Sequence, residues 1–215
     1  MSTPHGFIIE VIVWALPTIF AIVAHEVMHG VAARCLGDDT AARAGRLTLN
    51  PLSHIDPFGT VILPALLLFA HLPVFGYAKP VPVDFRRLRP PRSGMIAVAA
   101  AGPLTNFAVA AASAFATRLF AAHLGGPYGR AIFYPLALMA QASVIVNVSL
   151  AVFNLLPIPP LDGGRVLTGL LPAPMARRFA RIERFGFLIL LLLLYTNAVN
   201  AVINPIIFAI TRTLL

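Results

Sequence analysis

Long apolar segments are the feature that most constrains the fold of this 215-residue chain. Four of them reach membrane length, and they lie at about 7–35, 93–122, 130–156 and 185–210. A helix needs about 20 apolar residues to cross a hydrocarbon core that is about 30 Å thick. Hydrophobic residues make up 59% of the chain and charged residues 11%, which excludes an ordinary soluble domain. The sequence therefore predicts an all-α, polytopic membrane helix bundle with about four transmembrane helices.

An H-E-x-x-H motif lies inside the first apolar segment and consists of His25, Glu26 and His29. Histidines four residues apart on a helix point only about 40° apart, so both can bind one metal ion. Glu26 lies about 100° further round, close enough to take a proton from a metal-activated water. Such residues are rare in a transmembrane helix without a function. The competing interpretation is a cluster that only hydrogen-bonds between helices.

A catalytic zinc site usually takes three protein ligands, so the motif leaves one ligand to be found. The remaining carboxylates are Glu10, Asp38, Asp39, Asp56, Asp84, Asp162 and Glu183, and the remaining imidazoles are His5, His54, His71 and His123. Asp162 stands out because it follows a long apolar helix and the prolines at 157, 159 and 160. Prolines there predict extended backbone with unpaired carbonyls, which survives at membrane depth only beside protein or water. A proline-glycine turn that merely ends the helix is the alternative.

Together the two motifs resemble the site-2 protease family of intramembrane zinc metalloproteases. Residues 154–163 match the family pattern N-x-x-P-x-P-x-L-D-G at every fixed position, and residues 101–106 resemble the family's intervening helix. The resemblance implies that His25, His29 and Asp162 bind zinc and that Glu26 is the general base. It also implies that Asn154 positions substrate or water. The 215 residues contain neither a PDZ insert nor a CBS domain, so the chain resembles a minimal bacterial type.

The function that this resemblance implies is hydrolysis of peptide bonds within or next to transmembrane segments, as in regulated intramembrane proteolysis. We expect one integral-membrane metalloprotease domain over 1–215, one Zn2+ per chain, a transmembrane protein or peptide as substrate, and the bacterial cytoplasmic membrane as location. Nucleic acid is not an expected partner, because the net charge of +8 comes from loop arginines that suit the cytoplasmic side of a bilayer. The alternative is a non-proteolytic membrane metal-binding or transport protein, although no internal repeat supports it. The oligomeric state stays open.

The directions of the helices follow from the proposed ligands. His25 and His29 lie near the end of the first helix and Asp162 lies just beyond the end of the third, so these helices must be parallel. The helix at 93–122 must then run the other way, and residues 37–92 must cross the membrane an even number of times. The apolar segment 58–75, which prolines interrupt, is therefore predicted to be re-entrant or a hairpin. Since 13 of 16 Lys and Arg lie on the metal side, we predict outside termini and a site nearer the cytoplasmic face.

Two loop features have open interpretations. His54 lies in a polar connection between prolines, and it is either near the metal or substrate or a loop histidine. Residues 76–83 form either an extended edge that pairs with substrate or an anchoring loop.

Small and polar residues also occur inside the predicted helices. Asn106 and Asn147 are polar groups in apolar helices, and interhelical hydrogen bonding is at least as consistent with them as catalysis. Ala97, Ala101 and Gly102 predict close packing between helices.

Overall fold

The computed structural model describes residues 4–71, 76–196 and 198–215, and every regular element in these residues is helical. The α-helices are α1 (Pro4–Cys35), α2 (Thr40–Arg43), α3 (Leu63–Phe69), α4 (Pro91–Ala122), α5 (Tyr134–Asn154), α6 (Asp162–Leu170), α7 (Ala173–Ala180), α8 (Glu183–Tyr195) and α9 (Ala198–Leu214). A 3₁₀ turn (Pro51–His54) and two π-helical turns (Pro57–Ile62 and Gly129–Phe133) complete them. The predicted all-α fold is confirmed.

Among the described residues, three helices are long and apolar enough to cross a membrane. They are Ile9–Cys35, Pro91–Ala122 and Gly129–Asn154. The predicted fourth crossing, 185–210, is instead two shorter helices, because α8 ends at Tyr195 and α9 begins at Ala198. At the break, the Thr196 hydroxyl donates to the carbonyls of Leu192 and Leu193, a local bond that bends helices.

The pair α8 and α9 nevertheless joins the two ends of the bundle. Gly186, near the start of α8, lies against Pro159, just beyond α5. At the other end, the Arg118 guanidinium near the end of α4 donates to the carbonyl of Leu214 over 2.8 Å. The two helices together therefore extend from the end of α5 to the end of α4.

Helix α4 packs against both α1 and α5 and runs antiparallel to both. The hydrogen-bonded pairs are His29–Val98 and Ala21–Asn106 between α1 and α4, and Asn106–Asn147 and Ser113–Ser143 between α4 and α5. Residue numbers rise along α4 as they fall along its two neighbours. Helices α1 and α5 are therefore parallel, as the argument from the ligands predicts.

Small side chains let these helices pack closely. One buried cluster joins α4, α5 and α9 and contains Ala110, Ala114, Val144, Val148, Val152 and Ile203. A second cluster, of Ala33, Leu88 and Val98, packs the end of α1 against the start of α4. Since lipid tails are as apolar as these residues, close van der Waals contact rather than water exclusion holds such helices together.

The apolar segment after α2 is a hairpin, as predicted. Its helical part, Pro57–Phe69, is shorter than a membrane crossing. The chain then returns beside its start, because the Tyr77 N–H donates to the Gly59 carbonyl over 3.1 Å. Gly59 makes room for the Tyr77 ring, since a Cβ at this position would overlap the ring where it lies. Pro73, one of the predicted interruptions, lies outside the described residues.

Asp38 holds the end of α1 to the loop that precedes α4. Its buried carboxylate accepts the Asp84 N–H over 2.7 Å and the Thr40 N–H over 3.1 Å, and it also accepts the Thr40 hydroxyl. Burial alone would raise the pKa of Asp38, but these hydrogen bonds and the nearby Arg87 charge outweigh it, so the pKa lies below its usual value.

Candidate metal centre

Three potential ligand atoms meet inside the bundle. The Nε2 atoms of His25 and His29 are 3.0 Å apart, and Asp162 Oδ2 lies 3.1 Å from the first and 3.3 Å from the second. Tetrahedral zinc with bonds of about 2.0–2.1 Å keeps its ligand atoms about 3.3 Å apart. Within the part of the chain that the structure describes, this is the one group of His, Cys, Asp and Glu that could hold a metal ion.

Both imidazoles are held in the tautomer that a metal needs. The Nδ1 atom of His29 lies 2.7 Å from the Val98 carbonyl oxygen, and that of His25 lies 2.6 Å from Asn106 Oδ1. Because these oxygens can only accept, each Nδ1 carries the proton and each Nε2 presents a lone pair.

The Asp162 carboxylate supports the same interpretation. Its Oδ2 atom is buried and has no hydrogen-bond donor among the described residues. With lone pairs on both Nε2 atoms, three electron-rich atoms face one another, and such a buried arrangement is costly unless a cation lies between them. The donor set of two imidazoles and one carboxylate therefore fits a divalent metal ion such as zinc.

A compact turn delivers Asp162 to the histidines. Residues 155–161 form successive turns, with the Ile158 N–H bonded to the Leu156 carbonyl over 2.7 Å. The prediction of extended backbone here is wrong, because the chain turns and some of its backbone groups form local hydrogen bonds. Helix α6 then begins at Asp162 and packs on the turn, where a Cβ at Gly163 would overlap the Leu155 carbonyl.

Gly102 of α4 makes room for the two imidazoles. A Cβ built at this position would lie 2.5 Å from His29 Nε2 and 2.6 Å from His25 Cε1. The sequence predicted close helix packing at Gly102, whereas the structure shows a more specific requirement. The missing side chain leaves the space that the ligand rings occupy.

Glu26 is held by the segment that follows the hairpin. Its Oε2 atom accepts the Val81 N–H over 2.9 Å. Two preceding N–H groups of the same segment, those of Tyr77 and Lys79, donate to the carbonyls of Gly59 and His54. Residues 76–83 are therefore anchored along one side, and the last anchor is Glu26 itself.

Two adjoining cavities meet at His25 and Glu26. The first, of about 590 Å³, has mostly apolar walls that include Ile22, Phe58, Phe153 and Leu190. The second, of about 410 Å³, contains all three potential ligands and extends past Val83 and Phe85 to Arg165. The two share His25, Glu26, Tyr77, Ala78, Asn154, Pro160 and Leu161. The three potential ligands thus lie where an apolar space joins a more polar one.

Asn154 and His54 are placed differently. Asn154 lines both cavities, and its amide nitrogen donates to the Leu150 carbonyl of its own helix over 3.0 Å. His54 is buried and lines neither cavity as the described residues form them. Its ring bonds to the Thr48 carbonyl over 2.9 Å, and its own carbonyl accepts the Lys79 N–H. The structure therefore brings Asn154, but not His54, to the ligand group.

Sequence reasoning missed the contacts that Gly102, Asn106 and Val81 make to this group. A signal was present for the first two, because residues four apart on a helix share one face. The sequence did not show that this face of α4 lies on His25 and His29. For Val81, whose backbone makes the contact, no side-chain signal existed.

Comparisons with known proteins agree with the geometry. Residues 118–194, which include Asn154 and Asp162, match peptidase family M50. A protein of Bacillus subtilis (strain 168) named "Putative zinc metalloprotease YwhC" is 37% identical over 191 residues, which cover 89% of this chain and 84% of the relative. The chain belongs to the M50 peptidases, the site-2 protease family. It is therefore a membrane metalloprotease. The three long apolar helices among its described residues make it a multi-pass integral membrane protein.

Further relatives carry the same descriptive name as YwhC. Rip2 of Mycolicibacterium smegmatis is 32% identical over 194 residues, which cover 90% of this chain and 69% of the relative. Rip2 of Mycobacterium tuberculosis (strain ATCC 25618 / H37Rv) is 30% identical over 177 residues, covering 82% and 64%. No solved structure matches the chain.

Proposed function

We propose that this M50 peptidase is an intramembrane zinc endopeptidase that cleaves peptide bonds within or next to transmembrane segments. The observation that carries the proposal is the triangle of ligand atoms, 3.0–3.3 Å apart, in a cavity that Glu26 also lines. His25, His29 and Asp162 hold one zinc ion per chain in this proposal. The names of the relatives and the nitrogen and oxygen donor set support zinc.

Glu26 acts as the general base. When bound, zinc polarises the scissile carbonyl and lowers the pKa of the attacking water to around 7. Glu26 accepts the proton of that water and passes it to the leaving amine. The Val81 N–H fixes one carboxylate oxygen, which leaves the other to receive the proton. Asn154, on the wall of both cavities, positions the substrate or the water.

The proposed substrate is a transmembrane segment of a membrane protein. A peptide bond inside a helix is held in i→i−4 hydrogen bonds, so the segment must unwind before it can reach the zinc. The apolar cavity suits the hydrophobic part of such a segment, and residues 76–83 supply one wall for the unwound part. We place the protein in the bacterial cytoplasmic membrane, with residues 1–215 as one domain and the zinc nearer the cytoplasmic face.

The test uses purified protein in liposomes with a model transmembrane substrate. Wild type should cleave it, and Glu26→Gln should lose at least about 100-fold in rate while it keeps its zinc, since general-base catalysis contributes about 10²–10⁴-fold. Glu10→Gln is the matched control, because Glu10 is an exposed glutamate of the same helix that lines neither of these two cavities. Equal cleavage by wild type and Glu26→Gln would exclude Glu26 as the base. Zinc binding without cleavage of any transmembrane substrate would favour the metal-binding alternative.

A further inference from the structure

We propose that Asn106, itself oriented by Asn147, is a positioning residue that fixes the tautomer and direction of His25 for metal binding. This inference rests on the proposed zinc site. It concerns a side chain that binds no metal and contacts no substrate in the proposed mechanism. Its basis is a chain of buried hydrogen bonds that begins at His25 and continues into the centre of the bundle.

The orientation of the Asn106 amide is fixed by what surrounds it. Its Nδ2 atom lies 3.2 Å from the Ala21 carbonyl and 2.8 Å from Asn147 Oδ1. A backbone carbonyl can only accept, so the NH2 end must point to Ala21 and the oxygen must point to His25. That oxygen is 2.6 Å from His25 Nδ1 and can only accept as well. Asn106 therefore places the proton on Nδ1 and the lone pair on Nε2.

Asn147 is fixed in the same way, one step further from the metal. Its Nδ2 atom donates to the Ser143 carbonyl over 2.9 Å and lies 3.2 Å from the Ser143 hydroxyl. Its oxygen is thereby directed at Asn106. Both asparagine side chains are fully buried, so each polar group depends on the next for its partner. A buried network that is satisfied at every step has one stable arrangement, which it imposes on the ligand at its end.

The two histidines differ in what holds them. His29 is held by the backbone carbonyl of Val98, which no side-chain substitution removes. His25 is held by the side chain of Asn106, so a mutation of Asn106 can remove this hydrogen bond. Groups behind a metal-ligating histidine fix its tautomer and ring direction, and their loss costs about 10–100-fold in metal affinity. Removal of the Asn106 oxygen should therefore weaken zinc binding through His25, although Asn106 never touches the metal.

The test measures the zinc dissociation constant of the full chain in detergent by competition with a chromophoric chelator. Asn106→Leu should raise this constant by about 10–100-fold. Asn106→Asp retains an oxygen that can accept the His25 Nδ1 proton, as carboxylates commonly do behind zinc histidines, so it should bind zinc at least about tenfold more tightly than Asn106→Leu. A purely structural role predicts no such rescue, because a buried charge disturbs packing more than leucine does. Thr105→Val, which removes a hydroxyl that donates to the Ala101 carbonyl of its own helix, is the control and should match wild type.

Two results would overturn the inference. One is a zinc dissociation constant for Asn106→Leu within about twofold of wild type, and the other is equal loss in Asn106→Leu and Asn106→Asp. If Asn106→Leu does not fold, Asn147→Ala serves instead, and an unchanged dissociation constant there would also overturn it. His25→Gln separates this inference from the proposed function. If His25→Gln binds zinc as tightly as wild type, the zinc site itself is wrong, whereas loss in His25→Gln alone refutes only the role of Asn106.

Discussion

Replacing Gly102 by alanine should disable the metal site without unfolding the protein. The added Cβ would lie 2.5 Å from His29 Nε2 and 2.6 Å from His25 Cε1. Ordinary contacts begin at about 3.4 Å, so the rings must move by about 1 Å. Neither ring can yield easily, because the Nδ1 atom of each ring is hydrogen-bonded to α4.

The size of the effect follows from that displacement. Functional constellations must be held within about 0.5 Å, and a misplacement of 1 Å can cost about 100-fold in rate. Alanine is also a better helix former than glycine by about 1 kcal/mol, so the intrinsic helix stability of α4 should rise rather than fall. We therefore expect a loss of about 100-fold or more in cleavage and weaker zinc binding.

The assay compares zinc content, cleavage of the model substrate and thermal unfolding of Gly102→Ala with those of Gly94→Ala. Gly94 is in the same helix, and the nearest atom to its added Cβ would be Leu88 Cβ, at 3.0 Å, so that side chain would need to move by only a few tenths of an ångström. The control gains the same helix propensity and should keep its zinc and activity. If Gly102→Ala binds zinc and cleaves like wild type, the argument that glycine makes room for the ligand rings is refuted.

Three further predictions concern the surroundings of the site. Val81→Pro removes the N–H that binds Glu26 and should lower the cleavage rate by about 10–100-fold, the value of a charged hydrogen bond, with zinc content unchanged. Val81→Ala keeps the N–H and should cleave like wild type, and equal rates in the two variants would exclude this role. Asp38→Asn should lower the free energy of unfolding by about 1–3 kcal/mol at pH 7. Because the pKa of Asp38 is lowered in the folded protein, the difference in unfolding free energy between wild type and Asp38→Asn should be present above the ordinary pKa of 3.8. It should shrink as the pH falls through the folded pKa. Thermal unfolding of both proteins at pH 7 and pH 3 measures this, and an equal difference at the two pH values would contradict the prediction. Cysteines placed at 86–92 should react with impermeant reagents only from the cytoplasmic side, and labelling from outside would reverse the proposed orientation.

Much of the site could be predicted because several of its residues lie close together in the sequence, at spacings that indicate their chemistry. His25 and His29 are one helical turn apart, so their shared direction follows from helix geometry alone. The prolines before Asp162 marked the end of a helix, although the turn they form is compact rather than extended. The hairpin was predicted by counting membrane crossings. Because α1 and α5 must be parallel to meet at one metal, α4 runs the other way, and the chain between α1 and α4 must cross the membrane an even number of times.

Contacts between distant parts of the chain could not be predicted in the same way. The break between α8 and α9 lies in a segment whose apolar composition is similar on both sides. Spacing shows that Gly102 and Asn106 share one face of α4, but it does not show which helix that face contacts. Glu26 accepts a hydrogen bond from the backbone N–H of Val81. Every residue except proline has such an N–H, so the residue type at position 81 does not predict this contact.

These contacts assign a physical role to α4, although this helix carries no proposed ligand. Its Val98 carbonyl and Asn106 side chain set both histidine tautomers, and Gly102 between them leaves the space for the rings. Because α4 runs antiparallel to α1, residues 98, 102 and 106 meet α1 in reverse order at successive turns. One face of a single helix therefore contacts both histidine ligands. Sequences similar to residues 101–106 are therefore expected in other proteins in which a helix like α4 packs against a metal-binding H-E-x-x-H helix. Substitutions on that face should change metal affinity first, whereas substitutions on the faces of α4 that pack on α5 and α9 should change stability first.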